Sequence, residues 1–160
     1  QALITKSVQT AINEAQAAIA LNPKKASHWE NLAIVYKNVL GIKDTDKWAI
    51  SAYQRAILLD PQNISYRLGL GGVYYTIGQY ENAIKLFNDV TLMNPDLPNA
   101  YYNLAHAYYQ NKNTNKAVEI MDILLPLLQR QSSQEYQKVL KERNDFLANP
   151  PREKAPSVIQ

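Results

Sequence analysis

"RLGLGGVYYTIGQYENAIKLFNDVTLMNP", residues 67–95, contains two helical faces, a break between them and a stop at the end. Arg67, Leu70, Gly71 and Tyr74 stand at i, i+3, i+4 and i+7, which is one face of a helix. Gly78 interrupts the pattern, and Ala83, Phe87 and Val90 resume it on a second helix. The small residue at the head of that face lets the two helices approach closely. Pro95 then ends the segment, because the residue before a proline is driven out of helical geometry. The stretch therefore predicts a helix, a tight turn and a second helix.

The same arrangement recurs on both sides. "LNP" ends at Pro23, "LDP" at Pro61 and "MNP" at Pro95, with spacings of 38 and 34 residues. Aligned on those prolines, "WENLAIVY" (29–36), "RLGLGGVY" (67–74) and "YYNLAHAY" (101–108) fill one slot. The stripes are Trp29, Leu32, Ala33, Tyr36, then Arg67, Leu70, Gly71, Tyr74, then Tyr101, Leu104, Ala105, Tyr108. The second helices repeat likewise, with Ala49, Tyr53, Ala56, then Ala83, Phe87, Val90, then Ala117, Met121, Leu124. A fixed period of this length marks a stacked repeat protein, since one unit alone cannot bury its apolar face.

These residues resemble the tetratricopeptide repeat, a 34-residue helix-turn-helix unit with a Trp-Leu-Gly-Tyr, Ala-Phe-Ala, Pro pattern. The resemblance covers roughly residues 7–131, and the unit at 64–97, with Gly78 and Tyr80 in "IGQYENAIKLF", matches best. It implies an all-α fold, an α-α superhelix or solenoid of antiparallel helix pairs with a right-handed sense. Residues 1–25 read as a half-repeat, a second helix alone, with Ala11, Ala15 and Ala18 in its slots. Residues 26–63 read as a repeat with four extra residues around "GIKDTDKW", where Gly41 ends one helix and Asp44 or Thr45 caps the next. Residues 64–97 are a repeat of ordinary length, and 98–131 a divergent one with Pro126 inside its second helix. A kink or stop near Leu125 is expected there. Residues 132–149 read as a C-terminal capping helix starting at Ser132 or Ser133, and 150–160, with three prolines, as a disordered tail. The helices are expected at 3–21, 26–40, 45–59, 64–77, 80–93, 98–111, 114–125 and 133–147.

The paired tyrosines of "YYNLAHAYYQ" (101–110) divide between two roles. Tyr101 and Tyr108 lie on the packing stripe. Tyr102 and Tyr109 lie ~100° further round, with His106 between them. In tetratricopeptide proteins the first helices line a concave groove, and the resemblance turns this second stripe into it. The expected peptide-binding groove is Asn31, Ile34, Asn38, Tyr75, Asn99, Tyr102, Asn103, His106 and Tyr109. Asparagine both donates to and accepts from a peptide backbone, and tyrosine offers contact area at low entropic cost. Against this stands the plainer reading, in which exposed tyrosines are amphipathic cover. The carboxylate-clamp subtype is not supported, because Glu30, Leu68 and Tyr102 occupy slots where it needs lysine.

Composition excludes more than it selects. The chain has 160 residues, 46% hydrophobic and 19% charged, with a net charge of +3 and no cysteine. Acids and bases are interspersed, so no basic face for nucleic acid is expected. Without cysteine there are no disulfides and no thiolate metal sites. His28 and His106 have no metal-like spacing to a second ligand, and nothing resembles a nucleophile–base pair or a phosphate loop. Gly69, Gly71 and Gly72 sit inside a helix instead, at a cost of ~1 kcal/mol each. No cofactor and no catalytic activity are expected. No apolar run is long enough for a membrane span, so no direct membrane contact by this segment is expected.

The leading reading is thus a non-catalytic protein–protein interaction module that holds an extended peptide or partner segment. Two others compete with it. The chain, which begins with Gln1, reads as part of something longer; the turn and "DKWAI" resemble repeat tails on bacterial glycan-polymerising membrane proteins of the O-antigen ligase type, which implies a regulatory or positioning tail. The third is a structural oligomerisation unit. Helix 3–21 places Val8, Ile12, Ala15 and Ile19 near one broad apolar surface that a preceding helix would cover in a complete repeat. Self-association through that helix, or further repeat sequence upstream, is the expectation.

Overall fold

The computed structural model describes residues 6–129 and 133–151. They form α1 (Lys6–Leu21), α2 (Ala26–Lys37), α3 (Thr45–Leu59), α4 (Ile64–Thr76), α5 (Tyr80–Met93), α6 (Pro98–Gln110), α7 (Thr114–Gln129) and α8 (Ser133–Ala148). No β-strand forms among the described residues. The expected all-α class holds. The expected starts at residues 3–5, the cap at Ser132 or the Ser133 side chain, and residues 152–160 of the tail lie outside what is described.

The chain divides into two compact units, residues 1–90 and 91–160, with the division inside α5. In the first, α2 and α3 pair closely, and α1 and α4 pack on either partner. The stripes read from the sequence form the core. Leu32, Ala33 and Tyr36 of α2 join Ala49, Tyr53 and Ala56 of α3 and Leu70 of α4 in one buried cluster. Ile12 and Ala15 bring α1 onto it, while Val8 and Ile19 are only partly covered. Alanine or glycine recurs where helices approach most closely, because a larger residue would hold the axes apart. Gly71 shows this best: a Cβ added there would lie 2.5 Å from the Phe87 ring of α5.

The heads of the first two stripes, Trp29 and Arg67, are half-buried. The Trp29 Nε1–H donates to the Pro23 carbonyl at 2.8 Å. Arg67, in the same slot, donates to the Pro61 carbonyl. Each long donor ties its helix to the preceding proline stop, which explains how tryptophan and arginine can serve one position.

The lengthened turn departs from expectation. α2 ends at Lys37, Gly41 adopts φ +99°, and Asp44 sits in the left-handed region at φ 63°. Neither the Asp44 nor the Thr45 side chain caps α3. The Asp44 carboxylate accepts from Lys47 Nζ at 2.7 Å, and the fully buried Thr45 hydroxyl donates to the Ile42 carbonyl at 2.7 Å. The threonine is thus a pin for the inserted loop, leaving no buried hydroxyl unpaired. Trp48 packs on Tyr36, with ring centroids 5.2 Å apart, yet stays 46% exposed.

In the second unit α6 pairs with α7, and α7 with α8. Leu104 and Ala105 face Ala117, Met121 and Leu124, all essentially inaccessible. Tyr101 and Tyr108, expected in the core, are half-buried at its edge. α7 does not stop at Leu125 but runs through Pro126 to Gln129. The proline falls in the last turn, where it forfeits one hydrogen bond, and the buried Leu125 and Leu128 hold that turn in place.

Candidate functional site

The expected groove residues fall in both units. On the first, Asn31, Ile34 and Asn38 lie along the open side of α2 and are exposed, Ile34 by 40%. Tyr75 of α4 is half-buried, its ring edge-on to Tyr80 at 5.6 Å. Between the two helices, Lys37 Nζ would lie 3.3 Å from a Cβ built on Gly72. The absent side chain at Gly72 gives the ammonium its place.

Gly69, which the repeat alignment places level with Asn31 and Asn103, faces away from the expected groove. A Cβ there would run into the ring of Tyr53 on α3. Burial, and behind it the Glu30 carboxylate, push the Tyr53 phenol up to about 12, so it stays neutral. Gly69 therefore belongs to the packing of the unit.

On the second unit the tyrosine–histidine stripe is not open. α8 lies on it. Phe146 stacks on Tyr109 with centroids 3.8 Å apart and planes 10° from parallel, and meets His106 edge-on at 5.2 Å. The Tyr102 hydroxyl donates to Glu142 Oε1 at 3.3 Å, and His106 Nε2 lies 3.4 Å from Glu142 Oε2. Lys138 Nζ stands 5.2 Å over the Tyr102 ring, and the Tyr109 hydroxyl donates to the Asn149 carbonyl. Asn103 donates to Asn99 Oδ1 at 3.2 Å, so these two amides are turned partly toward each other. Towards the start of α8 the fit loosens, leaving a cleft of about 370 Å³ walled by Leu97, Pro98, Leu124, Leu128 and Val139. α8, expected as a polar end cover, also reaches the stripe that was expected to receive a partner. The signal for this was Val139 and Phe146, two helical turns apart on one face, with Glu142 between them.

Burial depresses the His106 pKa below the ordinary 6.5; the Glu142 carboxylate opposes this and the Lys138 ammonium adds to it. Below 6.5, a histidine released from α8 takes up a proton that the covered histidine resists. Acid therefore favours the uncovered state, and the covered state is fully favoured above 6.5. Amide protection across 139–146, corrected for intrinsic exchange, is expected to fall between pH 7.5 and pH 5.5. His106→Gln should abolish the difference. Equal protection at both pH values in the parent would refute the assignment.

Among the described residues no cluster of three or more His, Cys, Asp or Glu side chains is placed to hold a metal ion. No helix there is long and apolar enough to cross a membrane.

Comparison with known proteins agrees with this fold. The family described as TPR repeat matches residues 72–112, and the one described as tetratricopeptide repeat matches 49–91. Superkiller protein 3 of Schizosaccharomyces pombe is 26% identical over 107 residues, 52% of this chain but 8% of that protein. This chain thus spans a small part of that relative. A MamA crystal structure superposes with a TM-score of 0.67 at 21% identity, covering 93% of this chain and 70% of that one. TTC0263, a thermophilic TPR protein of Thermus thermophilus, gives 0.69 at 16% identity, covering 89% and 74%.

Proposed function

Since this chain is a tetratricopeptide-repeat protein, we propose that it is a protein-interaction module whose first unit holds an extended peptide along α2 and α4. The observation that carries the reading is the open side of α2. There Ile34, an exposed apolar residue, stands between two exposed amides, Asn31 and Asn38. An apolar contact flanked by groups that both donate and accept suits a peptide backbone with one buried side chain. Tyr75 extends the surface onto α4, and Lys37 supplies a cation between the helices. On the second unit, Asn99, Tyr102, Asn103, His106 and Tyr109 supply the corresponding surface, under α8. The chain carries no chemistry of its own in this reading; it positions a partner.

Peptides selected from a displayed random library against the full chain provide the probe. Asn31→Ala with Tyr75→Ala is expected to weaken them by about ten-fold in a chain still folded at the assay temperature, although loss of the Tyr75–Tyr80 contact lowers the melting temperature somewhat. Lys141→Ala on α8 should have no effect. Affinity should change little between about 50 and about 300 mM salt, because few charges line the path. If the double substitution leaves affinity untouched, these side chains are solvent cover.

A further inference from the structure

We infer that α8 is a displaceable occupant of the second unit, holding a site for a partner helix that carries a carboxylate one turn before an aromatic residue. This builds on the interaction-module reading and adds to it the class of partner and the means of regulation. Glu142 and Phe146 define that spacing. The carboxylate reaches Tyr102 and His106 together, and the phenyl ring stacks on Tyr109. All three are residues of one stripe on α6, so the surface already receives a helix of this chemistry.

α8 is held lightly. Among its described side chains only Val139 and Phe146 are buried, whereas α7 buries seven. The Glu142 contacts to the stripe are long, at 3.3 and 3.4 Å, and the Tyr109 hydroxyl adds one bond to the Asn149 carbonyl just past the helix end. The bidentate Arg143–Asp122 bridge, at 2.7 and 3.2 Å, ties α8 to α7 and not to the stripe. The occupant also fits incompletely. Beside Glu135 and Lys138 it leaves the apolar cleft of about 370 Å³. Residues 135, 139, 142 and 146 share one helical face, so a partner with a large apolar residue in place of Glu135 would fill what α8 leaves empty. Such a helix matches the aromatic and carboxylate contacts and adds apolar burial, and so it displaces α8.

The test uses the full chain and a synthetic peptide of residues 133–151. Because the chain's own helix competes, weakening it raises the apparent affinity for the peptide. Phe146→Ala in the chain is expected to improve peptide binding by about ten-fold over the parent. Adding Tyr109→Ala should remove that binding, and so should Glu142→Ala with Phe146→Ala in the peptide. A peptide carrying Glu135→Leu should bind the parent chain about five-fold more tightly than the unmodified one and expose α8 amides to exchange. If Phe146→Ala costs the chain its helical circular dichroism, Glu142→Ala in the chain replaces it, with an expected gain of about three-fold. Equal binding by parent and weakened chains, binding by neither, or binding that survives Tyr109→Ala overturns the inference. Asn31→Ala with Tyr75→Ala should leave this peptide's affinity unchanged, so failure here is distinguishable from failure of the first-unit reading.

Discussion

Leu70→Asp is expected to abolish the cooperative melt of the first unit, while Leu58→Asp leaves it within a few degrees of the parent. Leu70 is 3% exposed and belongs to the cluster formed by α2, α3 and α4; Leu58 is 69% exposed. Removing a buried leucine costs about 2–5 kcal/mol through lost burial and the cavity left behind. The carboxylate adds the penalty of a charge in an apolar site, several kcal/mol more even after it is protonated or hydrated. Together these match the whole stability of a small unit, about 5–15 kcal/mol. The exposed site suffers neither, and its change should stay within about 0.5 kcal/mol. Thermal unfolding followed by circular dichroism measures both. A melt near the parent temperature for Leu70→Asp would mean that the stripe register is wrong.

The register was legible because it recurs. Leu32, Leu70 and Leu104 occupy one slot, and Ala49, Ala83 and Ala117 another, so each unit checks the others. All six are buried. What does not recur was read less well. Thr45 pins an insertion present once, and nothing local distinguishes it from a helix cap. Pro126 was expected to stop α7 because its local propensity says so; Leu125 and Leu128 overrule it through packing. The cover over the second unit's stripe was missed for the same reason. The stripe Tyr102–His106–Tyr109 was readable as a face, and α8 as an amphipathic helix. That one covers the other depends on Phe146, which follows α7 in the chain, meeting Tyr109 before it, a contact with no period to betray it.

The three neighbouring glycines of α4 turn that difference into opposite signs of stability. In an exposed helix Gly→Ala is worth about 1 kcal/mol in favour of folding, so propensity alone predicts a gain at every position. Packing divides them. At Gly71 the new Cβ would sit 2.5 Å from the ring of Phe87, itself 2% exposed and fully enclosed. At Gly69 it would meet the buried Tyr53 ring. Neither ring can retreat without disturbing the core, and overpacking of this kind costs about 1–3 kcal/mol. Against a rigid, enclosed ring the penalty exceeds the gain, so Gly71→Ala and Gly69→Ala should each lower stability, by up to about 2 kcal/mol. At Gly72 the neighbour is Lys37 Nζ at 3.3 Å, the end of a flexible side chain that moves into solvent at little cost. There propensity wins, and Gly72→Ala should raise stability by about 0.5–1 kcal/mol. Urea unfolding of the three variants decides the matter. A gain at Gly71 would mean that α4 and α5 are further apart than the small-residue rule requires; a loss at Gly72 would mean that the Lys37 side chain is held against α4 rather than free to move aside.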